Sequence, residues 1–266
     1  MSNFPVYLKL ATASVKSRME YRASFIIFLF TLVSFYAAQV ATVGVVITRF
    51  KTIGGWSIGE MAFLYSLLIL SQGIVSCFFS GLIDFGSYVR LGTYDRILLR
   101  PLSPLGQVIM GGFELTGFAH LILGLITFFV ADSMISIEWD FNKIFVLISV
   151  IAGGSMILAG IRIIIGAVAF YAVNNNSLVH LFVFSSREFL LYPLNIYSTS
   201  VKFLLTFIIP LGFINFYPAH YFLNKSGPGL FHPYFAFLPF PVGVIIMILS
   251  LWFWRHGQKA YESAGG

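Results

Sequence analysis

The chain has 266 residues, of which 58% are hydrophobic and only 10% charged, with 30 phenylalanines. A soluble domain carries roughly 25% charged residues, and a single aqueous core of this length cannot hide so much apolar surface. An ordinary soluble protein is therefore excluded, and lipid is the solvent that fits. The net charge of +6 does not point to nucleic acid, because the basic residues sit between apolar runs, as orientation signals do in membrane proteins. Cys77 is the sole cysteine, so neither an internal disulfide nor a cysteine metal cluster is expected. The first apolar run is too long for a cleavable signal peptide and lacks a small-residue cleavage site.

A helix crosses a bilayer core of about 30 Å with about 20 apolar residues. In chain order, Phe4 to Arg22 comes first. Tyr7, Leu8, Ala11, Val15 and Met19 recur at helical spacing among Lys9, Lys16, Arg18 and Arg22. This predicts an amphipathic helix lying in the plane of the membrane face. Six apolar runs follow: Ser24 to Ile47, Met61 to Phe79, Val108 to Val130, Ile144 to Val173, Val201 to Leu223 and Ala236 to Trp254. The expected fold is all-α, a single polytopic membrane domain over 1–266 with six transmembrane helices. Lys9, Lys16, Arg18, Arg22, Arg90, Arg96, Arg100, Arg187, Lys202, Arg255 and Lys259 fall on one side of that topology. Only Arg49, Lys51, Lys143 and Lys225 fall on the other. The richer side is cytoplasmic, which places both termini inside and the chain in the plasma membrane as a multi-pass protein.

Three ionisable residues interrupt spans three and four. Such groups face protein or water. Glu114 and Arg162 are expected at similar depths near the cytoplasmic boundary, about 24 and 27 Å from the outer ends at 1.5 Å per residue. They are expected to pair or to share a vestibule. His120, near the middle of span three, is expected to make a helix-packing hydrogen bond.

Several chemistries are missing. There is no G-x-x-x-x-G-K-[ST] phosphate loop, so the chain is not expected to be an ATPase itself. H-E-x-x-H and G-x-S-x-G are absent too, and the histidines at 120, 180, 220, 232 and 256 lack metal-ligand spacing. No catalytic residues, no metal and no cofactor in this chain are expected.

The most informative stretch follows span two. Arg90, Gly92, Asp95, Arg96, Arg100 and Pro101 form the pattern R-x-G-x-x-D-R-x-L-x-R-P. Tyr94 to Leu99 is predicted as a short helix with Thr93 as N-cap and Pro101 as its stop. A short charged helix at a membrane face can dock a soluble partner or act as a positive-inside anchor.

This loop resembles that of six-span permeases of the ABC-2 type transporter superfamily, closest to a bacterial exporter branch that includes viologen-type and multidrug-type systems. Y-P-L-N-I-Y at Tyr192 to Tyr197, I-I-P-L-G-F-I-N-F-Y-P-A from Ile208 to Ala219, and W-R-H-G-Q-K-A-Y-E-S-A-G from Trp254 to Gly265 match as well. The resemblance implies an exporter permease that forms its pathway with a second permease, identical or related. Two copies of a separate ATPase, which carries ATP and Mg, would dock below. It implies that Arg90, Gly92, Asp95, Arg96, Arg100 and Pro101 form the ATPase-coupling element. A second cytoplasmic contact is expected over Asn174 to Tyr197, with Arg187 and Glu188. It also suggests short re-entrant helices between spans five and six, where Pro210, Pro218, Pro228, Pro233, Pro239 and Pro241 crowd; a bent span five with a simple outer loop is the alternative. Phe35, Tyr36, Phe113 and Phe118 are candidate pathway aromatics that could meet an organic cation. The alternative function is a secondary transporter or channel using Glu114, His120 and Arg162.

Overall fold

The computed structural model describes residues 4–19, scattered positions between 23 and 38, 52–172, 175–225 and 232–262. The first expected span, with Phe35 and Tyr36, lies almost wholly outside the described residues. Every regular element among those described is helical, apart from one isolated bridge between Ile53 and Trp56.

Helix α1 (Phe4–Met19) leads to the bundle. Helix α2 (Ile58–Phe78) is followed by two short helices, α3 (Phe85–Arg90) and α4 (Thr93–Leu98), and by α5 (Pro104–Gly111). Helices α6 (Thr116–Ile135) and α7 (Phe141–Val168) form the next hairpin. After it come α8 (Asn176–Val179), a π-helical stretch His180–Ser185, and α9 (Ser186–Leu190). Then α10 (Thr199–Phe203) runs through a second π-helical stretch, Leu204–Ile208, and α11 (Phe216–Phe222) returns. The long helix α12 (Pro239–Ala260) ends the fold. Helices α2, α6, α7 and α12 are long and apolar enough to cross a membrane.

These four stand in a row, α6 against α2, α2 against α7, and α7 against α12. Small residues set the spacing, as expected where lipid supplies no hydrophobic drive between helices. A Cβ on Gly117 would meet the Cys77 backbone nitrogen at 2.5 Å, and one on Gly124 would meet the Leu70 side chain at 2.9 Å. On the other side of α2, Ser155 donates to the Ser71 carbonyl at 3.3 Å while Ser71 donates to that of Ile151 at 3.4 Å. A Cβ on Gly243 of α12 would lie 2.6 Å from the Gly153 carbonyl oxygen.

The fifth expected span is corrected. Residues 201–223 do not form one crossing helix: the two arms, Thr199–Ile208 and Leu211–Phe222, meet at 79°. Both ends of this pair are fastened to the same turn before α2. Asn195 donates to the Gly54 carbonyl at 2.6 Å, and Lys225 donates to that of Gly55 at 2.8 Å. A segment that starts and finishes at one place has not crossed. Between the arms, the Ile214 side chain packs near Gly154 of α7. Pro210 stands at the break, where its missing N–H would interrupt any helix. The pair is a re-entrant hairpin, and the alternative of a bent span five is set aside.

The preceding stretch, instead, runs from one end of α2 to the other. Asn175 donates to the Ile165 carbonyl at 2.9 Å and lies against Gly86, so it sits at the α2 C-terminal end. Asn195, 20 residues later in number, sits at the α2 N-terminal end. Those residues would cover about 30 Å as helix, the thickness of a bilayer core. Asn215 holds the hairpin to this stretch, donating to the carbonyls of Leu190 at 2.9 Å and Leu64 at 3.3 Å.

Two further expectations change. The third span does not begin at Val108, because Val108 to Gly111 belong to α5 and the chain breaks before Thr116. At the break the backbones of Gly81 and Gly112 pack directly, and a Cβ on Gly81 would meet the Val108 carbonyl oxygen at 2.5 Å. In α1 the packed face is Tyr7, Ala11, Ser14 and Val15, while Leu8 is 56% exposed.

Candidate functional site

The candidate site is the end of the bundle where α2 gives way to the 81–107 segment. Glycine makes the geometry: Gly92 has φ +67, so the chain turns between α3 and α4 through a left-handed conformation that suits glycine. Thr93 is not the N-cap as expected. It is the first residue of α4, and its hydroxyl donates to the Tyr88 carbonyl at 3.2 Å, while Gly92 holds the cap position.

Tyr94 is fully buried. Its ring packs against Phe85, Phe170 and Tyr261 with centroids 5.0–5.3 Å apart, and Trp254 completes the cluster at 4.7 Å from Phe85. Burial, and then the neighbouring Tyr261, push the Tyr94 phenol well above its ordinary range. Asp95 accepts a hydrogen bond from the Tyr261 hydroxyl at 2.9 Å. Gln107 of α5 donates to the carbonyls of Ile97 and Leu102 at 2.9 and 3.2 Å. The Ser103 amide donates to the Tyr7 hydroxyl at 2.9 Å. The segment is thus braced by α12, α5 and α1.

What it leaves outside is a mixed surface. Arg90, Arg96, Arg100 and Pro101 are exposed, together with Leu91, Leu98 and Leu99, the last at 84%. Gly92 and Asp95 are half-buried. Exposed arginines framing exposed leucines at the tip of a braced element can take a soluble partner with acidic groups around an apolar patch. Of the expected coupling residues, then, the arginines and Pro101 form the outer face, Gly92 the turn and Asp95 the brace.

Two of the three intramembrane polar residues, Arg162 and Glu114, bond the last turn of α2. Arg162 is 4% exposed, and its guanidinium donates to the Val75 carbonyl at 3.3 Å. Glu114 lies in the break before α6, not on a continuous helix, and like Arg162 it sits at the level of the last turn of α2. Its amide donates to the Cys77 carbonyl at 2.9 Å and its carboxylate accepts from the Thr116 hydroxyl at 3.1 Å. Ser80 donates to the Ser76 carbonyl at 2.7 Å. The last carbonyls of a helix have no intrahelical partner. At α2, Ser80 and Glu114 supply two of those partners, to Ser76 and Cys77, while Arg162 adds a second bond to the Val75 carbonyl, which also accepts from the Phe79 amide; a guanidinium there also suits the helix dipole. His120 is buried and its Nδ1 lies 3.0 Å from the Thr116 carbonyl, a local contact within α6.

Arg187 and Glu188 lie on α9 in the 175–196 stretch, with the Arg187 guanidinium 5.6 Å from the Phe184 ring centroid. Phe113 packs on Phe78 with centroids 5.4 Å apart, whereas Phe118 is 48% exposed on α6. Sequence reasoning missed Tyr94, Gln107 and Tyr261 as braces. The one available signal was aromatic residues embedded in otherwise charged stretches.

An all-helical bundle with four apolar helices of crossing length and a re-entrant hairpin is an integral membrane protein. The family model described as ABC-2 family transporter protein matches residues 23–265, and the chain belongs to that family. No curated protein and no solved structure matches it.

Proposed function

We propose that the chain is the transmembrane permease subunit of an ATP-binding-cassette exporter. A separate ATPase, present in two copies and carrying ATP and Mg, docks on the face formed by Arg90, Leu91, Arg96, Leu99 and Arg100. A second permease, identical or related, completes the substrate pathway. Six helices cross the membrane: one over 24–47, then α2, α6, α7, the 175–196 stretch and α12.

Both termini are cytoplasmic in this reading. The α2 C-terminal end carries Lys9, Lys16, Arg90, Arg96, Arg100, Arg255 and Lys259 against Asp84, Asp95 and Glu262. The other end carries Lys143, Lys202 and Lys225 against Glu60, Asp132, Glu138 and Asp140. The excess of Lys and Arg marks the inner side. Lys202, expected inside, thereby moves outside with the hairpin. Phe118, exposed on α6, remains a candidate for the pathway together with Phe35 and Tyr36.

The observation that carries this reading is the braced segment with its basic and apolar outer face, in a chain of a transporter family. The test is copurification from native membranes in mild detergent, with ATPase activity assayed on the eluate. A nucleotide-binding subunit should accompany the wild type and be lost when Arg96 and Arg100 are changed to Glu. Wild-type eluate without ATPase activity sinks the reading and favours a secondary transporter.

A further inference from the structure

Helix α12 has two unlike faces. One packs inward through Gly243, Ser250, Trp254 and Gly257, all buried. The other faces outward through Ile245, Ile248, Leu249 and Trp252, each more than half exposed. One turn further on, the same outward face turns abruptly basic, with Arg255, His256 and Lys259 all exposed. These residues line a groove of about 760 Å³, with Ile248, Trp252 and Gln258 on its apolar and polar walls. Among the described residues, no acidic side chain lines it. The Trp252 and His256 rings sit 4.2 Å apart, and the His256 Nδ1 lies 2.9 Å from the Trp252 carbonyl, so the groove edge is internally held.

The position of the groove is fixed by its neighbours. Tyr261, just past α12, touches Asp95 of the braced segment, so the basic turn lies at the α2 C-terminal end. From Ile245 to Trp252 the apolar stripe rises about 10 Å away from it. An apolar stripe, a tryptophan at its border and a basic turn beneath are the order in which a lipid presents acyl chain, interface and phosphate. A soluble protein cannot follow the stripe into the membrane, whereas a lipid occupies both halves at once.

We propose that this groove is a binding site for an anionic phospholipid. Arg255 and Lys259 hold the headgroup phosphate, the Trp252–His256 pair lies along the glycerol region, and Ile248 and Leu249 contact the acyl chain. The site does not depend on the transport reading.

The test uses the full chain purified in detergent, with phosphatidylglycerol and phosphatidylcholine as probes and native mass spectrometry as the readout of retained lipid. Wild type should retain phosphatidylglycerol in preference to phosphatidylcholine. The Arg255→Gln/Lys259→Gln variant should lose that preference by about fivefold per charge removed, with an unchanged melting temperature. If the double variant misfolds, Lys259→Gln alone carries the same comparison. Equal retention of the two lipids by wild type, or an undiminished preference in the variants, overturns the proposal. Displacement of phosphatidylglycerol by millimolar inorganic phosphate also overturns it, because the groove would then read phosphate alone.

Discussion

The Tyr261 hydroxyl donates to the Asp95 carboxylate at 2.9 Å, joining the far end of α12 to the segment that follows α2. A hydrogen bond to a charged group contributes about 1.5–3 kcal/mol. Tyr261→Phe, which keeps the ring in its cluster, should lower thermal stability by about that amount or less. In the assembled transporter it should reduce cargo moved per ATP hydrolysed while leaving ATPase copurification intact. A double-mutant cycle with Asp95→Asn should show non-additivity. Additive losses would mean that the two groups do not act together.

Tyr94 presents the opposite case. Among the described residues its buried hydroxyl has no hydrogen-bond partner, while its ring fills the aromatic cluster. Tyr94→Phe should therefore be neutral or mildly stabilising, because removing an unsatisfied buried hydroxyl relieves its desolvation. Tyr94→Ala should cost about 3–5 kcal/mol, as truncation of a buried aromatic does. Thermal unfolding of both variants in one detergent decides it, and a strongly destabilised Phe variant would reveal a partner for the hydroxyl.

The course of the chain after α7 can be read by labelling. With Cys77 replaced by Ala, Ser198→Cys should react with a membrane-impermeant maleimide added outside intact cells. Glu262→Cys should react only after permeabilisation. Both positions are exposed. Protection of Ser198→Cys until permeabilisation would return the 175–197 stretch to the cytoplasm.

Gly117 allows α6 to lie directly on the Cys77 backbone. Gly117→Val should cost about 1–3 kcal/mol or more through overpacking and lower the yield of folded protein on size-exclusion chromatography. Gly111, with open space at its Cβ position, should accept Ala with little change. Equal behaviour of the two substitutions would argue against the close crossing.

Much of this architecture is written in hydropathy. The long runs that became α2, α6, α7 and α12 are plain, and the arginines of the 90–101 segment fall outside the bundle as their charge requires. Hydropathy measures apolar content, however, not end-to-end travel. The hairpin arms are as apolar as a crossing helix, while the stretch that runs the length of α2 contains Arg187, Glu188 and Pro193, which disguise it. The helix break at Glu114 is hidden for a related reason: only Gly111 and Gly112 hint that the helix stops there. Asn195 and Asn215 fix the topology through long-range hydrogen bonds, and a sequence does not display such partners.

Helix α2 is held at both ends by different machinery. Its first turn has a capping box, with Ser57 and Glu60 bonding each other's backbone, and Glu60 also pairs with Lys225 at 3.0 Å beyond the hairpin. Its last carbonyls are gripped by Arg162, Ser80 and Glu114. A helix clamped this way neither frays nor slides against its grips, so it behaves as a push-rod about 30 Å long. In the proposed assembly, a thrust delivered where Arg96 and Arg100 project would travel along this helix to the glycine pair from which the re-entrant hairpin hangs.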